Sequence, residues 1–398
     1  MIPQIDSDLG ISLYSTKFKG CGGNIRTEIS DFIVSEILSK KIMDSISQNP
    51  GFPVYKLKKN NIDTTHALND IFRKHRHRLK ALGLKDASAY TEQFVCSLKK
   101  SNSITSISEN KYTLERLGFV KKPLSKKDMI GNHFKIKINN VTSDFSNFDE
   151  YDKILNFFGY QRFGSKRPVT HLIGKAVLQK KYDDAIDFLL SFTSKYDSKE
   201  NTAIRQKLSD KSNYSKIVKE IPHQMDLERI VVEQLIEHNN PVKAFTALPL
   251  SIRRFFIQAY QSYIFNNTLS LAFQDGEDLF SSQTGDVCFD RNGILGKFSN
   301  DPAQRLAIPM VGYGYYKKTR FNYQISKILK SEQVQAKDFF LKEMQELSNE
   351  GGFRNSSINC QDFLISGKVV NFTLSRGSYA TILLREIMKP EDPFIAGF

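Results

Sequence analysis

The chain has 398 residues, 40% of them hydrophobic and 25% charged. This ordinary globular mix, long enough for two or three domains, excludes a disordered, collagen-like or disulfide-scaffold protein. Lys and Arg outnumber Asp and Glu by 57 to 43, a net charge of +14, alongside 16 Tyr and 30 Phe; excess cation with abundant flat rings suits either a partner made of phosphates and bases or a merely basic enzyme.

In chain order, residues 1–10 carry neither a basic nor an apolar leader pattern. Gly20, Gly22 and Gly23 lack the spacing of a phosphate-binding or dinucleotide motif and read as a turn. Strands are expected at 29–38 and 55–58. Over 63–82, Leu68, Ile71, Phe72, His75, Leu79 and Leu82 fall at helical spacings, with Asp63 or Thr64 as cap and Gly83 as stop. Strands follow at 90–98, with Phe94, Cys96 and Leu98 on one face, and at 133–138. The middle is helical: 182–192, 227–237, 251–271 with Ser251 as N-cap, and 325–348 up to Gly351-Gly352. A strand at 368–374, a turn at 375–377 and a helix at 379–388 close the chain. Strands at both ends of a helical middle suggest an α/β domain interrupted by an insertion.

No segment reaches the roughly 18 apolar residues of a membrane span. Cys21, Cys96, Cys288 and Cys360 form no close pair and read as reduced packing residues of a cytoplasmic protein. The seven histidines lack zinc spacing, so neither metal nor organic cofactor is expected.

Arg73, Lys74, Arg76, Arg78 and Lys80 crowd into eight residues. Five unpaired cations repel one another unless an anion is near, which makes this run a candidate phosphate-binding face. Just beyond it, Asp86 is placed on a turn among the small residues Ala87, Ser88 and Ala89. Phosphate would repel an ionised carboxylate there, so its presence asks for a reason. One is chemistry at a sugar–base bond, where a carboxylate can attack the anomeric carbon or stabilise an oxocarbenium-like centre. The run 156–164 packs Phe157, Phe158, Tyr160 and Phe163 with Asn156, Gln161 and Arg162, as either a core loop or a pocket for a flipped-out base would; Lys166 and Arg167 extend its charge. Arg253, Arg254, Gln258, Gln261 and Asn266 share the polar side of the 251–271 helix and face either RNA or solvent. Tyr313, Tyr315, Tyr316, Lys317, Lys318 and Arg320 repeat the aromatic–basic texture.

These residues fall into six ordered blocks that resemble the TruD type of tRNA pseudouridine synthase. They are Arg26 with Asp31-Phe32-Ile33-Val34-Ser35-Glu36; Lys59-Asn60-Asn61-Ile62-Asp63-Thr64; Gly83-Leu84-Lys85-Asp86 through Thr91 and Gln93; Asn156 to Gly164; Arg253 with Gln258-Ala259-Tyr260-Gln261-Ser262 and Phe265-Asn266; and Gly377-Ser378-Tyr379-Ala380-Thr381 with Leu384-Arg385-Glu386. Phe157 stands where the family often has Tyr, and the segment between Gly164 and Arg253 matches no motif.

The resemblance implies cofactor-free isomerisation of uridine to pseudouridine in tRNA, usually at position 13, with Asp86 as the catalytic carboxylate. It leaves open whether Asp86 attacks C1′ or removes a sugar proton. Phe32, Phe158 or Tyr379 would stack on the flipped uridine; Asn156 would read its edge or orient Asp86; Lys85, Arg26 or Arg162 would pair with Asp86. The implied fold is a pseudouridine-synthase α/β (α+β) domain with a central, largely antiparallel sheet, spanning 1–168 and completed by 350–398, with an inserted domain at 169–349. The expected partner is tRNA alone, with no membrane and no protein partner, the protein being a monomer. A non-catalytic tRNA-binding protein and a hydrolase that cleaves the base from ribose are the competing readings.

Overall fold

A computed structural model describes residues 1–100 and 104–398. The chain divides into two compact units, residues 16–154 with 358–398, and residues 1–15 with 155–357. The first unit is therefore built from both ends of the chain around an insertion. Its borders fall at 154/155 and 357/358, against expected borders at 168/169 and 349/350, and the extreme N-terminus packs with the inserted unit.

The first unit is organised on one mixed sheet. Its strands are β1 (Phe32–Leu38), β2 (Phe52–Lys59), β3 (Leu79–Ala81), β4 (Tyr90–Ser97), β5 (Ser106–Glu109), β6 (Tyr112–Val120) and β7 (Met129–Lys137). The inserted unit then contributes β8 (Val287–Phe289), β9 (Leu295–Lys297), β10 (Arg305–Met310) and β11 (Gly352–Asn355), which form a small antiparallel sheet of their own. The chain returns to the large sheet with β12 (Cys360–Ser366) and β13 (Val369–Ser375). Strand order is β12-β13-β7-β1-β4-β2-β6-β5, with β3 paired to β4. Only β1 and β4 run parallel, in register Val34↔Thr91; every other pairing in the described residues is antiparallel. The expected α/β class with a largely antiparallel sheet is what forms.

Alternation explains the strands. In β1, Phe32, Val34, Glu36 and Leu38 are buried and the residues between are half-exposed. The helix Thr64–His75 lays Ala67 and Ile71 on the core of Tyr55, Leu57, Val95 and Leu114. It is capped by Asp63, whose carboxylate accepts the His66 N–H at 3.0 Å.

Several elements depart from the sequence reading. The expected 63–82 helix stops at His75, because Arg76 takes a left-handed conformation (φ 54°) and the chain enters β3. Leu79 is core in that strand and Phe72 is exposed. The long helix of the inserted unit runs Leu250–Gln274 with Pro249 as its cap, so Ser251 lies inside it. Of the residues expected on its polar side, Gln261 and Asn266 are buried, whereas Arg254 and Gln258 are exposed together with Ser251. The expected 325–348 helix ends at Ser331; Gln333 is left-handed (φ 55°), and short 3-10 turns follow at Ala336–Phe339 and Lys342–Leu347. Leu98 lies beyond β4 and is exposed. Among the described residues no helix is long and apolar enough to cross a membrane.

Candidate active site

The loop from Gly83 to Ala89 joins β3 to β4 and has no ladder hydrogen bonds of its own. Its main-chain groups must find partners elsewhere; side chains from three elements supply them, and a fourth holds the Lys85 side chain. Gln93 of β4 donates from Nε2 to the Gly83 carbonyl at 3.2 Å and accepts the Thr64 hydroxyl at 2.8 Å. Thr64 Oγ1 in turn accepts the Lys85 N–H at 2.9 Å, and the Thr64 N–H donates to the Lys85 carbonyl at 3.2 Å. Lys59, at the end of β2, donates from Nζ to the Asp86 carbonyl at 2.7 Å and the Ile62 carbonyl at 2.8 Å. Glu36 of β1, its side chain fully buried, pairs with Lys85 Nζ at 3.1 Å and accepts the Phe94 N–H at 2.8 Å. The loop is thus fixed from below while the Asp86 side chain stays exposed.

Arg26 and Lys59 both interact electrostatically with Asp86; Arg26 is also held in place by its surroundings. It sits at φ 60°, its guanidinium 4.2 Å above the Phe32 ring and its Nη1 donating to the Gly397 carbonyl at 2.9 Å. Burial pulls its pKa below the ordinary arginine value, and the charge of Asp86 opposes that pull. Its Nε has no hydrogen-bond partner among the described residues. Lys85, the other candidate partner in this unit, faces Glu36 instead. Phe32 is 4% exposed, with Arg26 over one face and Phe134 at its edge, so in this conformation it supports Arg26 and offers little surface to a base. Tyr379 belongs to the same unit, half-buried at the N-cap of the helix Ala380–Met388.

Asn156, Phe158 and Arg162 belong to the other unit, where they form a second cluster. Asn266, fully buried on the long helix, accepts the Phe158 N–H at 2.8 Å and donates to the Phe158 carbonyl at 3.1 Å and the Leu9 carbonyl at 3.0 Å. The expectation that Asn266 faces RNA or solvent is therefore replaced by a clamp on the aromatic loop. Gln261 is buried likewise and donates to the Val311 carbonyl at 2.7 Å. Asn156 accepts from Arg354 Nη2 at 2.8 Å and donates to the Asn355 carbonyl at 3.1 Å, so both its amide groups are engaged within the unit. Arg354 then lies 4.0 Å over the Phe158 ring, and Arg162 lies 5.2 Å from the same ring and 5.5 Å from Phe255. Arg354 falls outside every sequence block; its partner Asn156 is 198 positions away.

The basic residues divide. Lys74 pairs with Asp70 at 2.9 Å and Glu109 at 3.0 Å, and Arg73 reaches Asp70 at 3.4 Å, so the run is not five unpaired cations. Arg76, Arg78 and Lys80 are exposed without a carboxylate partner among the described residues; Arg78 stacks on Phe72 at 5.1 Å. Lys166 is exposed. Arg167, expected at an RNA face, is instead turned inward. It donates to the carbonyls of Phe188, Leu189 and Phe192 and pairs with Glu228 at 3.2 Å, closing the end of the helix Tyr182–Ser191. Gly164 (φ 102°) makes that turn possible, since a Cβ there would stand 2.3 Å from the Arg167 carbonyl oxygen.

Comparison with known proteins gives one consistent result. The family model "tRNA pseudouridine synthase D (TruD)" matches residues 8–387. A protein of Methanosarcina acetivorans is 30% identical, covering 98% of this chain and 97% of its own, and one of Pyrobaculum islandicum is 31% identical, covering 100% and 99%; both are described as probable tRNA pseudouridine synthase D. A crystal structure from Methanosarcina mazei, described as that of a tRNA pseudouridine synthase D (TruD), superposes with a TM-score of 0.78 at 28% identity over 99% of each chain.

Proposed function

Because this chain belongs to the TruD family of tRNA pseudouridine synthases, we propose that it isomerises a uridine of tRNA to pseudouridine, at position 13, with Asp86 as the reacting carboxylate. The observation that carries this reading is the Asp86 loop: an exposed carboxylate whose main chain is tied down by Lys59 and by its neighbours' bonds to Thr64, Gln93 and Glu36. A surface carboxylate with only a turn-forming role would not need so much support.

The chemistry follows from the groups present. The target uridine is extruded from the folded RNA, at a cost of a few kcal/mol in lost stacking. Asp86 promotes cleavage of the N1–C1′ bond. The base turns while held, C5 bonds to C1′, the C5 proton leaves and N1 takes up a proton, so the composition of the RNA is unchanged. Arg26 supplies a positive charge that interacts with the Asp86 carboxylate. Water must be excluded, or it would capture the electrophilic sugar carbon. Arg76, Arg78, Lys80 and Lys166 serve phosphate contacts. Asn156 and Phe158, buried and engaged within the inserted unit, order its aromatic loop.

The test is release of tritium from [5-³H]uridine in a tRNA transcript, with mass spectrometry of the product. Wild-type protein should release tritium without a change in RNA mass, and Asp86→Asn should not. Loss of a base from the RNA would replace isomerisation by hydrolysis, and tRNA binding without tritium release would replace it by a non-catalytic role.

A further inference from the structure

We propose that Lys59 is a positioning residue for the Asp86 carboxylate, a buried ammonium that holds the Asp86 main chain from beneath and so sets where the carboxylate stands. The inference rests on the reading of Asp86 as the reacting group.

Three observations carry it. Lys59 occupies a core position: Tyr55, Leu57 and Lys59 share the inward phase of β2 and are 0%, 0% and 1% exposed. An apolar side chain would fill that position more cheaply, because an ammonium withdrawn from water costs several kcal/mol unless its protons are well met. Second, the two acceptors of Nζ are main-chain carbonyls, of Asp86 at 2.7 Å and Ile62 at 2.8 Å. The ammonium thereby joins the reactive loop to the turn after β2. Third, the charged groups that act on it are Asp86, Asp63 and Lys85. Asp86 and Asp63 favour the charged form and Lys85 opposes it, but burial outweighs them and pushes the Lys59 pKa down to about 8. A lysine of this kind is charged at neutral pH and loses its charge within a range where enzymes are assayed.

With its carbonyl bound from below, Asp86 has a fixed Cα and a short side chain pointing to solvent. Loss of the ammonium frees the loop to shift, and a displacement of about 1 Å at a reacting group can cost on the order of 10²-fold in rate. Lys59 itself touches no RNA from its buried position.

The experiment compares wild type, Lys59→Met and Asp86→Asn on one tRNA transcript, reading single-turnover rate and RNA affinity between about pH 6.5 and pH 9. Ionisation of the substrate uracil is common to the first two proteins, so the ratio of their rates isolates Lys59. Lys59→Met should lower the rate about tenfold or more at pH 7 and leave RNA affinity within about twofold, because the main effect is on geometry at the reacting group. The ratio of wild-type to Lys59→Met rates should then shrink as pH rises past about 8, where the wild-type ammonium loses its proton. If Lys59→Met does not fold, Lys59→Gln is carried through the same ratio. An unchanged rate, a loss seen in affinity alone, or a ratio independent of pH overturns the proposal. Asp86→Asn keeps the two readings apart: if it retains turnover, the assignment of Asp86 fails, whereas an inactive Asp86→Asn beside a fully active Lys59 variant sinks the Lys59 proposal only.

Discussion

Asp86, Arg26 and Lys59 divide the work of one charge. Asp86 is exposed and is the proposed reacting carboxylate; the Arg26 charge interacts with it; Lys59 lies beneath its main chain. Asp86→Asn keeps size and removes charge, so the rate should fall by about 10³-fold or more while RNA affinity holds or rises. Single-turnover rates and filter-binding titrations check both halves. Arg26→Gln should cost about 10- to 100-fold in rate, as loss of one preorganised charge does, with RNA affinity within about twofold. An unchanged rate would mean that Arg26 serves only Phe32 and the chain end. Lys59 adds a stability effect of opposite sense to its proposed role. Its folded pKa, about 8, lies below the ordinary lysine value of 10.5, so above pH 8 the unfolded chain binds more protons than the folded one and stability rises with pH. Relative to Lys59→Met, the wild type should gain on the order of 2 kcal/mol between about pH 7.5 and 9.5, as read by denaturant unfolding; a flat difference would contradict the buried ammonium.

At the scale of elements, the sequence blocks acquire physical reasons. The Lys59–Thr64 block and the Gly83–Gln93 block are far apart in sequence, yet Lys59 and Thr64 hold the main chain of Lys85 and Asp86, and Gln93 holds both Thr64 and Gly83. The Asn156–Gly164 block and Asn266 meet in the same way, through the main chain of Phe158. None of this was legible in advance, because periodicity reports which face is buried and says nothing of which polar side chain meets which carbonyl. The strands β1, β4, β7 and β13 were legible, with alternation read at β13. The basic run misled for a local reason: Ile71 and Leu79 are eight apart, which fits two helical turns and equally a helix, a turn and a strand. The left-handed Arg76 that ends the helix has no sequence signal, being neither Gly nor Asn. Arg354 was invisible for lack of any neighbouring motif. The observed division of the run changes its test. Replacing Arg76, Arg78 and Lys80 by Gln should weaken tRNA binding and lower the slope of log affinity against log salt by about 0.7 to 0.9 for each phosphate no longer neutralised. The same change at Arg73 and Lys74 should do less, since Asp70 and Glu109 already compensate them. Equal effects from both sets would remove the distinction.

For the whole molecule, a chain of average composition and a charge of +14 is organised as a sheet unit made from both its ends and an inserted, mainly helical unit. Composition pointed to a nucleic-acid partner without locating it, and the motif blocks put the proposed reacting carboxylate on the sheet unit. Within the segment between Gly164 and Arg253, Arg167, Arg205 and Glu228 form one buried network. The central claim is that this protein makes pseudouridine through Asp86. Its most direct test is pseudouridine mapping of total RNA from cells that carry the wild-type chain, Asp86→Asn, or neither. New pseudouridine confined to tRNA position 13 and present with the wild type alone is the predicted result. Modification that persists with Asp86→Asn, or a wild type that leaves that position as uridine, would contradict it.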